Sequence, residues 1–175
     1  GSTPFDDVRQ AARNAWNEKL GRIRVEGGTD EERTIFYTAL YHALLHPNLL
    51  SDVNGEYPSM EGGERLLAVD YDRYTVFSLW DTYRNVHQLL TLSYPEQQRD
   101  MLRSMVAMSK EWGWLPRWEL YGRETYTMEG DPAIAVIVDS YLKGLRDFDV
   151  DAAYEAMKRS ATTEGKNNPI RRDID

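Results

Sequence analysis

Helix-start signals recur along this chain, and the gaps between the helices they open are by turns very short and very long. Thr29-Asp30-Glu31-Glu32 is a capping box: the threonine hydroxyl and the glutamate three residues on each satisfy the other's backbone amide. Pro95 and the pair Asp131-Pro132 mark further starts, because proline in the first helical turn forfeits no hydrogen bond. Thr3-Pro4 opens a first helix in the same way, and Gly21 closes it. Apolar residues then follow helical spacing, as in Ile35, Phe36, Leu40, Ala43 and Leu44, or Met101, Leu102, Met105, Val106 and Met108. A segment from Leu79 to about Leu92, and another from Asp149 or Asp151 to about Ser160, bring the predicted helices to six. Ala133 to Leu145 is apolar nearly all round, which predicts a helix buried on most sides.

The connections at 93–95 and 146–149 are tight, whereas 47–78 and 113–130 are long. In the first long stretch, Asn54-Gly55, Pro58 and Gly62-Gly63 are turn signals. Arg65–Val69 and Tyr74–Phe77 read as short strands of a small hairpin around Asp70–Arg73. Tight turns alternating with long loops suit helical hairpins that form part of an (α/α) toroid, whose long loops gather at one end and build a site. The expected fold is all-α with a small β-hairpin: a partial toroid over 1–161, then a polar tail over 162–175.

Charge and composition remove several function classes. The net charge is −8, from 29 acidic and 21 basic residues, and no clustered basic face exists for nucleic acid. With no cysteine, disulfides, thiolate metal sites and cysteine nucleophiles are excluded. No run of about 18 apolar residues is present to span a membrane.

The most informative motif is Phe77-Ser78-Leu79-Trp80-Asp81-Thr82-Tyr83-Arg84. Trp80 offers a flat apolar face that suits the C–H face of a sugar, and Asp81 can accept two hydroxyl protons. The same residues fit a packed indole and a carboxylate favoured by a helix dipole, so residue chemistry leaves both readings open. Trp112-Gly113-Trp114-Leu115-Pro116-Arg117-Trp118-Glu119-Leu120-Tyr121 is either the aromatic wall of a small-molecule pocket or a lid folded onto the core. In Met128-Glu129-Gly130-Asp131-Pro132, Asp131 reads as a helix cap. His42 and His46 share a helix face but lack a third metal ligand, and His87 has no visible partner. Loop carboxylates with acid–base potential are Glu56, Glu61, Glu64, Asp70, Asp72, Glu119, Glu124 and Glu129, with surface charge the default for each.

Taken in order, these blocks resemble glycoside hydrolase family 92. They run from Phe36–His42 through the Trp80-Asp81-Thr82-Tyr83-Arg84 block, Trp114–Trp118 and Met128–Ala133 to Asp139–Gly144 with Asp147-Phe148-Asp149. The resemblance implies a β-sandwich followed by a toroid of six helical hairpins. It implies calcium-dependent, inverting removal of terminal α-linked mannose, with α-1,2 linkages expected. It also implies that Trp80 and Asp81 contact the mannose, joined by Arg84 and Asp131, and that the enzyme works in the periplasm or outside the cell. The chain is much shorter than the family's catalytic domain. The general acid, the base and the calcium ligands are therefore expected beyond Asp175, and the isolated piece is expected to be inactive and to self-associate through apolar surface. A non-catalytic helical interaction module and another (α/α)-toroid carbohydrate enzyme are the alternatives.

Overall fold

The computed structural model describes residues 4–163, and the chain divides into two compact units, 1–45 and 46–175. The Thr3 cap and the 164–175 part of the polar tail lie outside the described residues.

In the first unit, helix α1 (Phe5–Leu20) follows Pro4, which sits at the N-cap position, one residue before the helical turn in which it was expected. Helix α2 (Asp30–Ala43) begins at the predicted capping box. Thr29 Oγ1 accepts from the Glu32 amide at 3.2 Å, and the Glu32 carboxylate accepts from the Thr29 amide at 2.7 Å. These bonds hold the exposed Glu32 carboxyl below the usual range. Trp16 and Tyr41 join the two helices, with ring centroids 4.6 Å apart.

Among the described residues, the second unit carries seven short strands: β1 (Asn48–Leu49), β2 (Glu56–Pro58), β3 (Arg65–Leu67), β4 (Tyr74–Thr75), β5 (Phe77–Ser78), β6 (Trp118–Leu120) and β7 (Arg123–Glu124). Its helices are α3 (Leu79–Thr82), α4 (Val86–Ser93), α5 (Pro95–Trp112), α6 (Pro132–Leu142) and α7 (Val150–Thr162). About half of the chain is helical, and three small antiparallel sheets accompany the helices, so the described residues are not all-α.

The small hairpin exists but lies one strand earlier than the sequence pattern placed it. β3 pairs back with β2, while β4 pairs with β1, so 65–69 and 74–77 are not partners. The polar Asp70–Arg73 stretch connects two different sheets. The predicted helix from Leu79 to Leu92 is broken at Tyr83–Asn85, which gives seven described helices instead of six. Gln88 Nε2 donates to the Tyr83 carbonyl across the break at 2.9 Å. Within the long aromatic stretch after Gly113, β6 and β7 extend β5 into a three-stranded sheet.

Helix α5 is the centre of this unit and packs against α4, α6, α7 and β4. Its Met101, Leu102, Met105, Val106 and Met108 are all buried, and burying each such side chain is worth roughly 1.5–3 kcal/mol. Gly113 ends the helix at φ 102°, a left-handed geometry that glycine adopts without a Cβ penalty. Helix α6 is less buried than its composition predicted. One stripe (Ala133, Val136, Ile137, Ser140) faces inward, while Val138 and Leu142 are exposed. A groove of about 290 Å³ runs beside it, lined by Ile137, Tyr141, Phe148, Tyr154 and Met157.

Candidate active site

The site begins at an unusual backbone. Val76, buried between β4 and β5, has φ 60°, a region that β-branched residues rarely enter. This turn redirects the chain from pairing with β1 to pairing with β6. The Leu79 amide donates to the Arg117 carbonyl at 3.1 Å, so β5 runs directly into α3.

Helix α3 presents the residues picked out in the sequence. Leu79 is fully buried, Trp80 is half-buried and Asp81 is exposed. Ser78 Oγ donates to Asp81 Oδ2, which orients the carboxylate. The Arg84 guanidinium lies 5.3 Å from the Trp80 ring centroid and 5.0 Å from that of Tyr83, a stacked cation–π arrangement. Arg84 is exposed and makes no ion pair among the described residues. Trp80, Asp81 and Arg84 offer an aromatic ring, an acceptor and a donor close together in the chain.

Asp131 lies at the N-cap of α6, a helix that packs against α3. It is not a side-chain cap, contrary to the sequence pattern. Pro132 has no amide to satisfy, and the Ile134 amide is taken by the Asp131 backbone carbonyl at 3.0 Å. Trp118 went unnoticed as a neighbour of this surface. It pairs in register with Ser78, and only the sheet topology reveals that.

Two of the loop carboxylates are structural. Glu124, buried, accepts from the amides of Arg117, Trp118 and Tyr126 at 2.8, 3.1 and 3.2 Å. Glu119 is fully buried and accepts from Thr75 Oγ1 at 2.7 Å and from the Gly122 amide. Its Oε2 has no hydrogen-bond partner, and burial pushes its carboxyl above the usual range. The charged form is thus penalised while the hydrogen bonds to Oε1 are needed. Glu119→Gln is expected to unfold no more easily than the wild type at pH 7. Glu119→Leu strands the Gly122 amide and is expected to lose about 1–3 kcal/mol in denaturant titration.

His87 is also not the lone residue it resembled. It is 1% exposed, its Nε2 meets Thr82 Oγ1 at 3.0 Å, and its Nδ1 meets Gln98 Oε1 at 2.9 Å. Burial lowers its pKa to about 4, with the Gln98 contact pulling weakly upward. As pH falls, the unfolded chain takes the proton first, near the ordinary histidine value of 6.5. The stabilisation is therefore complete above about pH 6.5 and drains away towards pH 4, by about 3 kcal/mol. Unfolding free energies measured across that window should fall more steeply for the wild type than for His87→Gln; parallel slopes would contradict this.

The glycosyl hydrolase family 92 catalytic domain matches residues 1–174. The chain belongs to glycosyl hydrolase family 92. A family GH92 α-mannosidase from Bacteroides thetaiotaomicron is 35% identical, with a TM-score of 0.87 over 94% of this chain and 22% of its own. That enzyme in complex with mannoimidazole matches at 36% identity and a TM-score of 0.85, over 92% of this chain and 21% of its own. A GH92 inverting mannosidase from the same organism is 32% identical, with a TM-score of 0.85 over 94% and 22%. An uncharacterized secreted glycosidase of Arthroderma benhamiae is 31% identical over 91% of this chain and 17% of its own length. The chain therefore spans about a fifth of the proteins it matches. Among the described residues, no helix is long and apolar enough to cross a membrane.

Proposed function

We propose that this chain is part of the helical toroid of an exo-acting α-mannosidase, which removes terminal α-linked mannose from glycans with inversion and prefers α-1,2 linkages. The observation that carries the reading is the exposed Asp81 carboxylate beside the half-buried Trp80 indole, at the entry to α3 in a family 92 chain. Trp80 supplies an apolar wall for one sugar face. Asp81 accepts from two neighbouring hydroxyls, and Arg84 donates to a third oxygen from above the indole. Asp131, at the start of α6, is assigned to the same sugar. The relative solved with mannoimidazole and the relative described as inverting support this choice of substrate and outcome.

Inversion needs an acid and a base roughly 6.5–9.5 Å apart, with a water between them. The buried Glu119 and Glu124 are committed to the loop around them, and the family resemblance assigns the acid and base to the remainder of the complete protein. Calcium takes several oxygen ligands at once. Among the described residues, no group of three or more His, Asp or Glu side chains fits a metal ion. The family resemblance assigns a calcium requirement to ligands elsewhere in the complete protein, and no step here runs through the ion. Secretion follows from the secreted relative. The apolar groove beside α6 supports self-association of the isolated piece, which is expected to be inactive without the other wall of its cleft.

The test is hydrolysis by the complete protein of α-1,2-mannobiose and of α-glucosides, followed by proton NMR. Mannose should appear first as the β-anomer. Release of glucose without mannose, or no hydrolysis of either, would overturn the reading.

A further inference from the structure

Behind the surface that carries Trp80 and Asp81, a polar chain runs through the core. Ser140 Oγ on α6 accepts from Gln98 Nε2 on α5 at 3.0 Å. Gln98 Oε1 meets His87 Nδ1 on α4 at 2.9 Å, and His87 Nε2 meets Thr82 Oγ1 on α3 at 3.0 Å. Thr82 Oγ1 reaches the Ser78 carbonyl at 3.2 Å, and the hydroxyl of the same Ser78 holds Asp81. Ser140 and Gln98 are fully buried, and His87 nearly so. Four helices are thereby linked, and the line ends at the carboxylate assigned to the sugar.

We propose that Thr82, His87, Gln98 and Ser140 are positioning residues that fix α3, and with it Trp80 and Asp81, in the orientation that meets the sugar. The proposal rests on the mannosidase reading above. A four-residue helix has no stability of its own, because nucleation costs more than one turn returns. Something outside it must set its angle. Apolar contacts around Leu79 and the bond from its amide to the Arg117 carbonyl hold the start of the helix, whereas the directional hydrogen bonds of the buried line fix its last residue, Thr82. The neighbouring core positions Leu90, Leu102, Met105 and Ile137 are apolar, so a polar line here is not required for packing. The imidazole stays neutral in this setting, which keeps its two nitrogens distinct. With Nδ1–H donating to Gln98 Oε1, Nε2 is left as an acceptor facing Thr82. The single proton of the Thr82 hydroxyl then goes to Nε2 at 3.0 Å or to the Ser78 carbonyl at 3.2 Å, and its oxygen is the junction between core and surface.

The experiment uses the complete glycosidase labelled with 5-fluorotryptophan, with the Trp80 resonance assigned by its loss in Trp80→Phe. Thr82→Val keeps the shape and removes the hydroxyl. It is expected to move the Trp80 fluorine resonance and to lower kcat/KM on a mannoside by about 10- to 100-fold, mostly in kcat. Thr82→Ser keeps the hydroxyl and is expected to return both towards wild type. Ser140→Ala, at the far end of the line, should shift the resonance in the same direction by less, and it replaces Thr82→Val should that variant not fold. An unmoved resonance in the folded variants overturns the proposal, as does a Thr82→Ser variant as damaged as Thr82→Val, which would mean that keeping the hydroxyl does not keep the position. Asp81→Ala separates the two ideas. Full turnover by that variant sinks the sugar-site reading, while the fluorine signal still judges the positioning line.

Discussion

Glu111→Ala is expected to lower the stability of the 46–175 unit by roughly 3–5 kcal/mol, the range found when one partner of a buried ion pair is removed. Arg73 is fully buried. Its Nη2 donates to Glu111 Oε2 at 3.1 Å, its Nη1 donates to the Ser104 carbonyl at 2.9 Å, and its Nε has no partner. The guanidinium also stacks 4.7 Å from the Tyr57 ring centroid. Glu111 is the carboxylate that Arg73 pairs with directly, and it also accepts from Tyr57 Oη at 3.1 Å and from the Met60 amide at 3.0 Å. Burial pushes the Tyr57 phenol upward, so it stays a donor at any ordinary pH. Alanine leaves a cation, an amide and a phenol unsatisfied together. Calorimetry on the complete protein should show the transition of this unit about 10–20 °C lower. Arg73→Met combined with Glu111→Gln removes the charge and keeps partners for the amide and phenol, so it should recover most of the loss. A single variant that loses under about 1 kcal/mol would mean that Arg73 is not held by this pair.

That pair marks the limit of what could be read from the chain alone. The capping box at Thr29, the start at Pro95 and the Asp149 cap of α7 are local, with donor and acceptor within three residues or the fixed angle within one. They were legible for that reason. Strand partners were not. Arg65–Leu67 and Tyr74–Thr75 are neighbours in sequence, yet each finds its partner upstream, and a two- or three-residue strand carries too little pattern to choose. The break at Tyr83–Asn85 was hidden because Leu79, Val86, Leu89 and Leu90 keep helical spacing across it. Arg73, Glu111 and Glu119 look like any surface polar residues until their partners are known, and those partners include remote segments, while Glu124 and His87 are buried by loops and turns whose path the sequence pattern does not fix. Trp80, Asp81 and Arg84 lie within one turn or so of each other, so any local structure keeps them near one another. Trp118 was missed because only the β5–β6 register brings it to Ser78.

The second large effect follows from Asp81. Asp81→Ala in the complete enzyme is expected to reduce kcat/KM on α-mannosides by about two to four orders of magnitude. A hydrogen bond to a charged group contributes roughly 1.5–3 kcal/mol, and a carboxylate facing two sugar hydroxyls makes two of them. Each 1.4 kcal/mol or so is tenfold in rate, which gives that range. Stability should change little. Asp81 is exposed, its one side-chain contact is to Ser78, and a helix as short as α3 has a weak dipole for it to complement. The thermal midpoint thus separates a lost sugar contact from a damaged fold. The partition between constants is informative as well. If the carboxylate holds the ring equally before and during reaction, KM rises with kcat unchanged; if it grips the distorted ring more strongly, kcat falls. Asp81→Asn keeps an acceptor without charge and should fall between alanine and wild type. Near-normal turnover by Asp81→Ala would show that this carboxylate does not touch the sugar, and the indole beside it would then have no reason to be left half-open on the surface.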